Sequence, residues 1–506
     1  MTSANTLDQP FYRETTLARE SLAASARESV RDRLRWVRQF REQVAARYPE
    51  IIAAIQADLP RLPQELLASD LLPTADACRF LEQSAEKLLK PSRMPDRHRP
   101  IWLMGERDTI HRRPHGIVAV IGTWNYPWFL NAVQIVQAIV AGNAVLWKPS
   151  ELAGTSARLL HEMLVAAGVP ANRFQMVPAI RENGAKILDA DIDFLVFTGS
   201  VGVGRQIATR LAQRLIPSIL ELSGCDSLFV LDDANVEMAA QATWFGTTIN
   251  KGQTCIAVRR ALVAESVIDR YLESLRSLAA DHAPWPLAMA SQREQAQRLI
   301  DDAVAQGARL LEPVRTAGDR SMSPAVLVDV RPEMAICREA TFAPIVAVLR
   351  GQDDADLLKQ QSQCAYALGA SIFTADATRA EAIAQQLPVG MVVVNDALVS
   401  AAHPATPFGG RRESGWGTTQ GAEGLLAMTV PQAVSHKPGT FRPHYQIGEG
   451  ESVPALERML VGMLRSSHGS RLSVRMAGMW QIIRGMMQLG KSMPKAKSDS
   501  AAHSGQ

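Results

Sequence analysis

Apolar positions recur at two different spacings along this chain. Between residues 15 and 90 they fall at helical intervals, with Leu34, Val37, Phe40 and Val44, then Ile51, Ile52 and Ile55, set among many Arg and Glu. That period predicts amphipathic helix almost throughout. From about residue 115 the pattern shortens into apolar runs of the buried-strand kind: IVAVIG (117–122), NAVLWKP (143–149), RFQMVP (173–178), DFLVFTG (193–199) and PSILEL (217–222). Segments with helical periodicity separate them, such as LAGTSARLLHEMLVAAG (152–168) and GVGRQIATRLAQRL (202–215). Strand–helix alternation predicts an α/β fold with a parallel, doubly wound sheet. A second α/β stretch follows, with LFVLDD (228–233), a helix from Val236, and the strands ALGASIFT (367–374) and GMVVVND (390–396).

The segment after Pro431 is different. SHKPGTFRPHYQIGEGES (435–452) reads as a linker, and a basic tail follows it. Between Ser452 and Lys497 stand Arg458, Arg465, Arg471, Arg475, Arg484, Lys491, Lys495 and Lys497 against Glu457 alone, a net +7 that leaves −4 for the rest. Seven of the 18 methionines lie here too: Met459, Met463, Met476, Met479, Met486, Met487 and Met493. A basic helix with Met, Leu, Ile and Trp480 on its apolar side suits an anionic membrane surface. It equally suits a terminal helix packed on its own domain or on a partner subunit, and the pattern leaves both readings open.

With 506 residues, the chain predicts two or more domains. A net charge of +3 makes no general case for nucleic-acid binding, and 47% hydrophobic with 21% charged residues excludes a disordered chain. Cys78, Cys225, Cys255, Cys337 and Cys364 are scattered, without CxxC pairs or His at metal spacing. They predict free thiols, a cytoplasmic location and no metal site. The N-terminus MTSANTLDQPFYRE lacks a signal-peptide pattern, and no run of eighteen apolar residues occurs, so contact with a membrane is expected to be peripheral at most.

Three separated segments hold polar residues in apolar or Gly-rich surroundings: GTWNYPW (122–128), LELSG (220–224) and NKGQTC (250–255). A lone Cys is usually a small buried hydrophobe, but Gly252 clears bulk beside Cys255 and suits an exposed nucleophile. An Asn after a strand is usually a turn residue. Glu221 is harder to dismiss, because a carboxylate inside an apolar strand is costly unless used or paired.

Taken together, these segments resemble the aldehyde dehydrogenase superfamily, over roughly residues 15 to 430. WNYP, FTGSVGVG and GQTC most resemble its class 3 branch, which includes fatty-aldehyde dehydrogenases. The resemblance implies that Cys255 is the catalytic thiol, Glu221 the general base and Asn125 the oxyanion donor. It implies a cofactor site built from Thr123 and Trp124, from Lys148, Ser150 and Glu151, from Gly199, Ser200, Val203 and Gly204, and from Phe342 in REATFAPIV. A carboxylate at Glu151 opposes a 2′-phosphate and favours NAD, with NADP possible. The implied reaction is NAD(P)-dependent oxidation of an apolar, long-chain or polyene aldehyde to its acid through a Cys255 thiohemiacetal and thioester. Acyl transfer or acyl reduction through the same thioester, and a non-catalytic scaffold, are the competing readings.

The implied architecture has an N-terminal arm (1–14) and a cofactor-binding domain (15–225) with a bridging strand near 107–114. A catalytic domain (226–420), a bridging segment (421–445) and the basic Met-rich tail (446–506) follow. Strand candidates for the bridge are RDTIHRRP (107–114) and LLAMTVPQAVSH (425–436), and a homodimer is expected. Two positions depart from the family. Ala340 stands where a ribose-binding Glu is expected, beside Glu339, and Cys225 replaces the Lys of ELGGK. A slower or more mobile cofactor step is the predicted consequence of Ala340.

Overall fold

The computed structural model describes residues 9–24, 28–440, 442, 445 and 453–492, with backbone alone for 490–492. Residues 1–8 of the expected N-terminal arm therefore lie outside the described residues. So do 446–452 of the linker and 493–506 of the tail, with Met493, Lys495 and Lys497. Contacts divide the chain into two units, one running to Lys90 and resuming over Arg112–Val430, the other joining Pro91–His111 to the chain from Pro431.

Helices α1 (Tyr12–Ala24), α2 (Val30–Ala46), α3 (Tyr48–Asp58) and α4 (Leu72–Leu89) fill the stretch with helical periodicity. Ser29 starts α2 through a reciprocal cap with Asp32, and Val37, Phe40 and Val44 are its buried face. Parallel strands β1 (Ile117–Ile121), β2 (Ala144–Lys148), β3 (Phe174–Met176), β4 (Phe194–Gly199) and β5 (Ser218–Leu222) then form a sheet in the order β5-β4-β1-β2-β3. Gly415–Trp416 adds antiparallel to the β5 edge.

Both faces of this sheet are covered, as continuous apolar strands require. Val118 and Val120 pack with Phe40, Leu81 and Ile135 on one side. Ile117, Ala119 and Ile121 pack with Ile207 and Leu211 on the other. Helices α5 (Phe129–Ala141), α6 (Gly154–Ala166) and α7 (Val201–Arg214) connect the strands. The chain winds from β1 outward to β3, then crosses to β4 and β5 on the opposite side. The switch point therefore lies between β1 and β4, where α/β sheets present ligands at their carboxyl ends.

A second sheet contains β6 (Asp226–Val230), β7 (Val258–Ala264), β8 (Ala325–Val328), β9 (Ile345–Gly351), β10 (Gly369–Phe373) and β11 (Met391–Val394). Their order from the edge strand Arg309–Leu310 is β8-β9-β7-β6-β10-β11. The helix expected from Val236 is α8 (Val236–Thr248). Strands β7, β8 and β9 are not among the predicted elements. In β7 the cause is chemical, because Arg259 and Arg260 interrupt the apolar run yet are buried. Arg260 donates to the Cys225 carbonyl at 2.9 Å and to Gln361 at 2.9 Å, so its charge is satisfied inside the sheet.

The second unit has a three-stranded sheet in the order Ser92–Arg93, Arg107–Pro114, Thr429–His436. The region read as a strand from 425 begins pairing only at Thr429, since Gly421–Ala427 is helical. Helices α9 (Val453–His468) and α10 (Leu472–Ser492) form a hairpin. No helix among the described residues is long and apolar enough to cross a membrane.

Candidate active site

Three chain segments converge on Cys255, and each is shaped by backbone more than by side-chain volume. The loop leaving β1 is held by Asn131, whose amide accepts from the Thr123 N–H at 3.1 Å and donates to the Thr123 and Pro127 carbonyls at 3.1 and 2.8 Å. Thr123 donates its hydroxyl to the Asn125 side-chain oxygen at 2.8 Å. That bond fixes the amide orientation, so Asn125 Nδ2 donates to the Gln253 carbonyl at 3.0 Å, two residues before Cys255. An amide has two N–H donors, and the second is left for a ligand.

The loop before Cys255 is left-handed at three consecutive positions: Asn250 (φ 48), Lys251 (φ 57) and Gly252 (φ 75). The two non-glycines cost about 1–2 kcal/mol each. Buried Arg259 holds the turn from behind, donating to the Gly252 and Ala343 carbonyls. A Cβ on Gly252 would lie 2.4 Å from the Ala343 carbonyl carbon, so only glycine lets these backbones pass. The third segment is the β5 exit. Gly224 donates its N–H to the Cys255 carbonyl at 3.0 Å, and a Cβ there would meet that oxygen at 2.6 Å. The distant PFGGRRESGWG motif closes the site, with Gly415 opposite Glu221 and the Ser414 hydroxyl donating to the Ser223 carbonyl at 3.0 Å.

Glu221 and Cys255 are within side-chain hydrogen-bonding reach of one another. Burial pushes Glu221 up to about 8, partly offset by the thiol, and its Oε1 has no protein partner. Burial also raises the Cys255 thiol well above its ordinary value, with Glu221 and Asp226 adding to it. Two neighbouring acids of this kind can exchange a proton when charge develops on a ligand. The Cys255 N–H has no acceptor within the protein among the described residues.

The remaining candidates sit along the carboxyl edge of the first sheet. Ile121 pairs in register with Lys148 and with Phe197, so the exits of β1, β2 and β4 are neighbours. Lys148 Nζ is 3.1 Å from Glu151 Oε2. Burial would raise Glu151, but its own N–H and the Lys148 ammonium hold it below the usual value. Ser150 accepts from the Leu152 N–H at 3.3 Å. Ser200 precedes α7 without capping it, and a Cβ on Gly204 would lie 2.6 Å from Leu222, which lets the helix start sit close to the sheet. Gly199 is similarly tight against the Phe197 ring, and Val203 is exposed.

An uncapped helix start at the switch point fits a dinucleotide pyrophosphate, and the Lys148–Glu151 pair fits ribose hydroxyls. The Trp124 and Phe342 rings stand 6.0 Å apart at 54°. No hydrogen bond joins Lys148–Glu151 to Gly199–Gly204 among the described residues; they share only the sheet edge. Glu339 is engaged by Arg298 at 2.5 Å, and the Ala340 carbonyl accepts from Gln295 at 3.1 Å. Cys225 is buried with its thiol 3.7 Å from the Cys337 carbonyl, and the cation beside it is Arg260.

Sequence reasoning missed several contributors. A cavity of about 370 Å³ reaches Cys255 and is walled by Tyr126, Phe129, Phe245, Leu398 and Phe408. Behind it, Arg61 forms a buried ion pair with Asp70 at 2.7 Å, lies 4.8 Å over the Tyr126 ring and donates to the Asn125 carbonyl at 3.3 Å. Asp70 also accepts from the Trp128 and Phe129 N–H groups at the start of α5, each at 3.3 Å. Asp226 is a buried acid that burial pushes well above the ordinary range. None of these has a local signature except the Arg259–Arg260 pair, where apolar residues on both sides hint at burial.

Comparison with known proteins gives a consistent result. Residues 12–434 match the model of the aldehyde dehydrogenase family. The chain is 33% identical to a 4,4'-diapolycopene aldehyde oxidase of Methylomonas sp over 410 residues, which is 79% of this chain and 77% of that one. It is 34% identical to a vanillin dehydrogenase of Pseudomonas fluorescens over 357 residues, 66% of this chain and 72% of the relative. Among solved structures, PnpE from Pseudomonas sp. WBC-3 superposes with a TM-score of 0.79 at 26% identity, covering 86% of this chain and 91% of that one. PnpE is also solved in complex with nicotinamide adenine dinucleotide.

Proposed function

The chain belongs to the aldehyde dehydrogenase family and is an NAD(P)-dependent enzyme acting on aldehydes; from that premise we propose that it oxidises an apolar, long-chain or polyene aldehyde at Cys255. The observation that carries the substrate class is the cavity of about 370 Å³ that reaches that thiol, whose walls are mostly aromatic and aliphatic. Each buried CH₂ of a chain in such a space contributes about 0.8 kcal/mol. The polyene aldehyde oxidase activity of the Methylomonas relative points the same way, and WNYP, FTGSVGVG and GQTC resemble the motifs of the class 3 branch.

The Cys255 sulfur attacks the aldehyde carbon, its proton passes to Glu221, and the carbonyl electron pair moves to oxygen. Asn125 Nδ2 and the unengaged Cys255 N–H donate to that oxygen, where each donor is worth about 3 kcal/mol in the transition state. NAD(P), when bound, would supply the hydride acceptor; Lys148, Ser150, Glu151, Gly199, Ser200, Val203 and Gly204 would hold its adenosine and phosphate parts, and Thr123, Trp124 and Phe342 its nicotinamide part. Glu151 favours NAD. Once Glu221 has released the thiol proton to solvent, its carboxylate takes a proton from the water that cleaves the Cys255 thioester. A carboxyl at about 8 is a stronger base than an ordinary one and suits that step.

The reading extends to the wider architecture: a cofactor part over 15–225, a catalytic part over 226–420, and a bridge formed by 107–114 with 421–445 that pairs subunits into a homodimer. Five free thiols accord with a cytoplasmic enzyme. The test is reduced-cofactor absorbance with NAD and NADP against short, long-chain and polyene aldehydes, using wild type and Cys255→Ser. Turnover favouring long substrates and lost in the variant is expected. Turnover confined to short aldehydes would overturn the substrate class, and thioester accumulation without acid release would favour acyl transfer.

A further inference from the structure

Helices α9 and α10 lie beyond the residues that match the family, and they are packed in an unusual way. Glycines bring their backbones close along the seam, beside buried Leu456, Met459, Ile482 and Leu489. A Cβ on Gly462 would lie 2.7 Å from the Gly478 carbonyl oxygen, one on Gly478 would lie 2.5 Å from the Ser466 nitrogen, and one on Gly485 would lie 2.8 Å from the Ala455 oxygen. Among the described side chains of α10 only Gly478, Ile482, Gly485 and Leu489 are buried, a single narrow stripe, and two of the four are glycine. Backbone-to-backbone packing of this type closes a hairpin while leaving many of its large apolar side chains unused.

Those side chains are left outside. Met476, Trp480, Ile483 and Met487 recur at 4-3-4 spacing on the side of α10 away from the seam, and their exposures run from 39% to 63%. Beside them an apolar groove of about 660 Å³ is lined by Trp102, Met104, Leu460, Met463, Met479 and Met486. Trp102 and Met104 are themselves 59% and 69% exposed. A contiguous apolar face of this kind marks a binding surface.

Charge selects the partner. Residues 453–492 carry Arg458, Arg465, Arg471, Arg475, Arg484 and Lys491 against Glu457 alone. No acidic residue pairs with Arg465, Arg471 or Arg484 among the described residues. In an isologous contact with a second copy these arginines would face their own equivalents. An anionic headgroup layer instead meets every one of them with opposite charge, while the methionines and Trp480 enter the acyl boundary.

We propose that the α9–α10 hairpin docks on an anionic lipid bilayer, lying in its interface rather than spanning it. The docking surface is distinct from the Cys255 site and does not rest on the roles assigned there.

The test is co-sedimentation of the full-length protein with phosphatidylcholine vesicles and with phosphatidylcholine–phosphatidylglycerol vesicles, at low and high salt, without substrate or cofactor. We expect about tenfold or greater preference for the anionic vesicles, lost at high salt. The exposed pair Trp480→Glu with Met487→Glu, and separately Arg465→Gln with Arg471→Gln and Arg484→Gln, should each weaken binding about tenfold or more while short-aldehyde turnover in solution persists. Equal binding to both vesicle types, no binding, or full binding by both variants overturns the proposal. Absent vesicle binding together with a smaller particle for Trp480→Glu/Met487→Glu in light scattering would assign the face to a second copy of the chain.

Discussion

The catalytic unit and the C-terminal hairpin use apolar residues in opposite ways. Around β1, large side chains such as Trp128, Trp147 and Phe40 are fully buried, and glycine appears where two backbones must pass near Cys255. In the hairpin, glycines draw the backbones together and many large side chains, Trp480 and Met487 among them, face outward. The first arrangement spends apolar area on rigidity, which holds Asn125, Glu221 and Cys255 in register. The second keeps apolar area available for something else. Similar residue types thus give a scaffold in one place and an adhesive surface in the other.

The comparison is broken most severely at its rigid end. Cys255→Ser should lower aldehyde turnover by more than about a thousandfold while the fold survives, as near-UV circular dichroism would show. Retained turnover would remove Cys255 from the mechanism. Glu221→Gln should cost about 10²–10⁴-fold in acid release and abolish a rising limb of kcat centred near pH 8. The same carboxyl has a linkage consequence. Its folded-state value lies above its unfolded one, so its proton-bound contribution is complete below about 4.5 and is lost as pH rises through about 8. The glutamine variant should therefore melt a few degrees higher than wild type at pH 8 and equally at pH 4, read by calorimetry.

Arg61→Met tests whether rigidity behind the site matters. It leaves Asp70 buried without its cation, at a cost of about 3–5 kcal/mol, and takes one of two donors from the Asn125 carbonyl, Asn250 Nδ2 remaining at 2.9 Å. Denaturant midpoint and kcat should both fall, with Asp70→Asn added in the same chain restoring part of the stability. Gly478→Leu applies the same logic to the hairpin. Overpacking the seam should cost about 1–3 kcal/mol, seen as faster hydrogen exchange across α10, with short-aldehyde turnover unchanged. The smallest effect is expected from Glu151→Gln, which should improve NADP use relative to NAD about tenfold through loss of one charge, measured as a ratio of kcat/KM.

Much of the site was legible in local motifs. WNYP, LELSG and GQTC name Asn125, Glu221 and Cys255, and the structure brings these three together through the Gln253 and Cys255 carbonyls. The strands around 117–222 were legible for the same reason, since a continuous apolar run has few alternatives to a buried strand. Arg61 and Asp70 were not legible, because charges in a helical stretch read as a solvated face. Their partners lie far along the chain: Arg61 reaches the Asn125 carbonyl and Asp70 the Trp128 N–H. Strand β7 was obscured by Arg259 and Arg260, whose burial depends on carbonyls contributed by other loops.

What the sequence by itself determined is the set of local choices: which runs bury, where helices start, and which residue types are candidates for nucleophile, base and donor. Those choices depend on neighbours within a few positions, so a linear pattern contains them. The tertiary structure alone decided the raised value of Glu221, the aromatic walls of the cavity at Cys255, and which side of α10 faces solvent. Each is set by desolvation or packing among segments tens to hundreds of residues apart, and burial is a property of the folded whole that no stretch of chain holds alone.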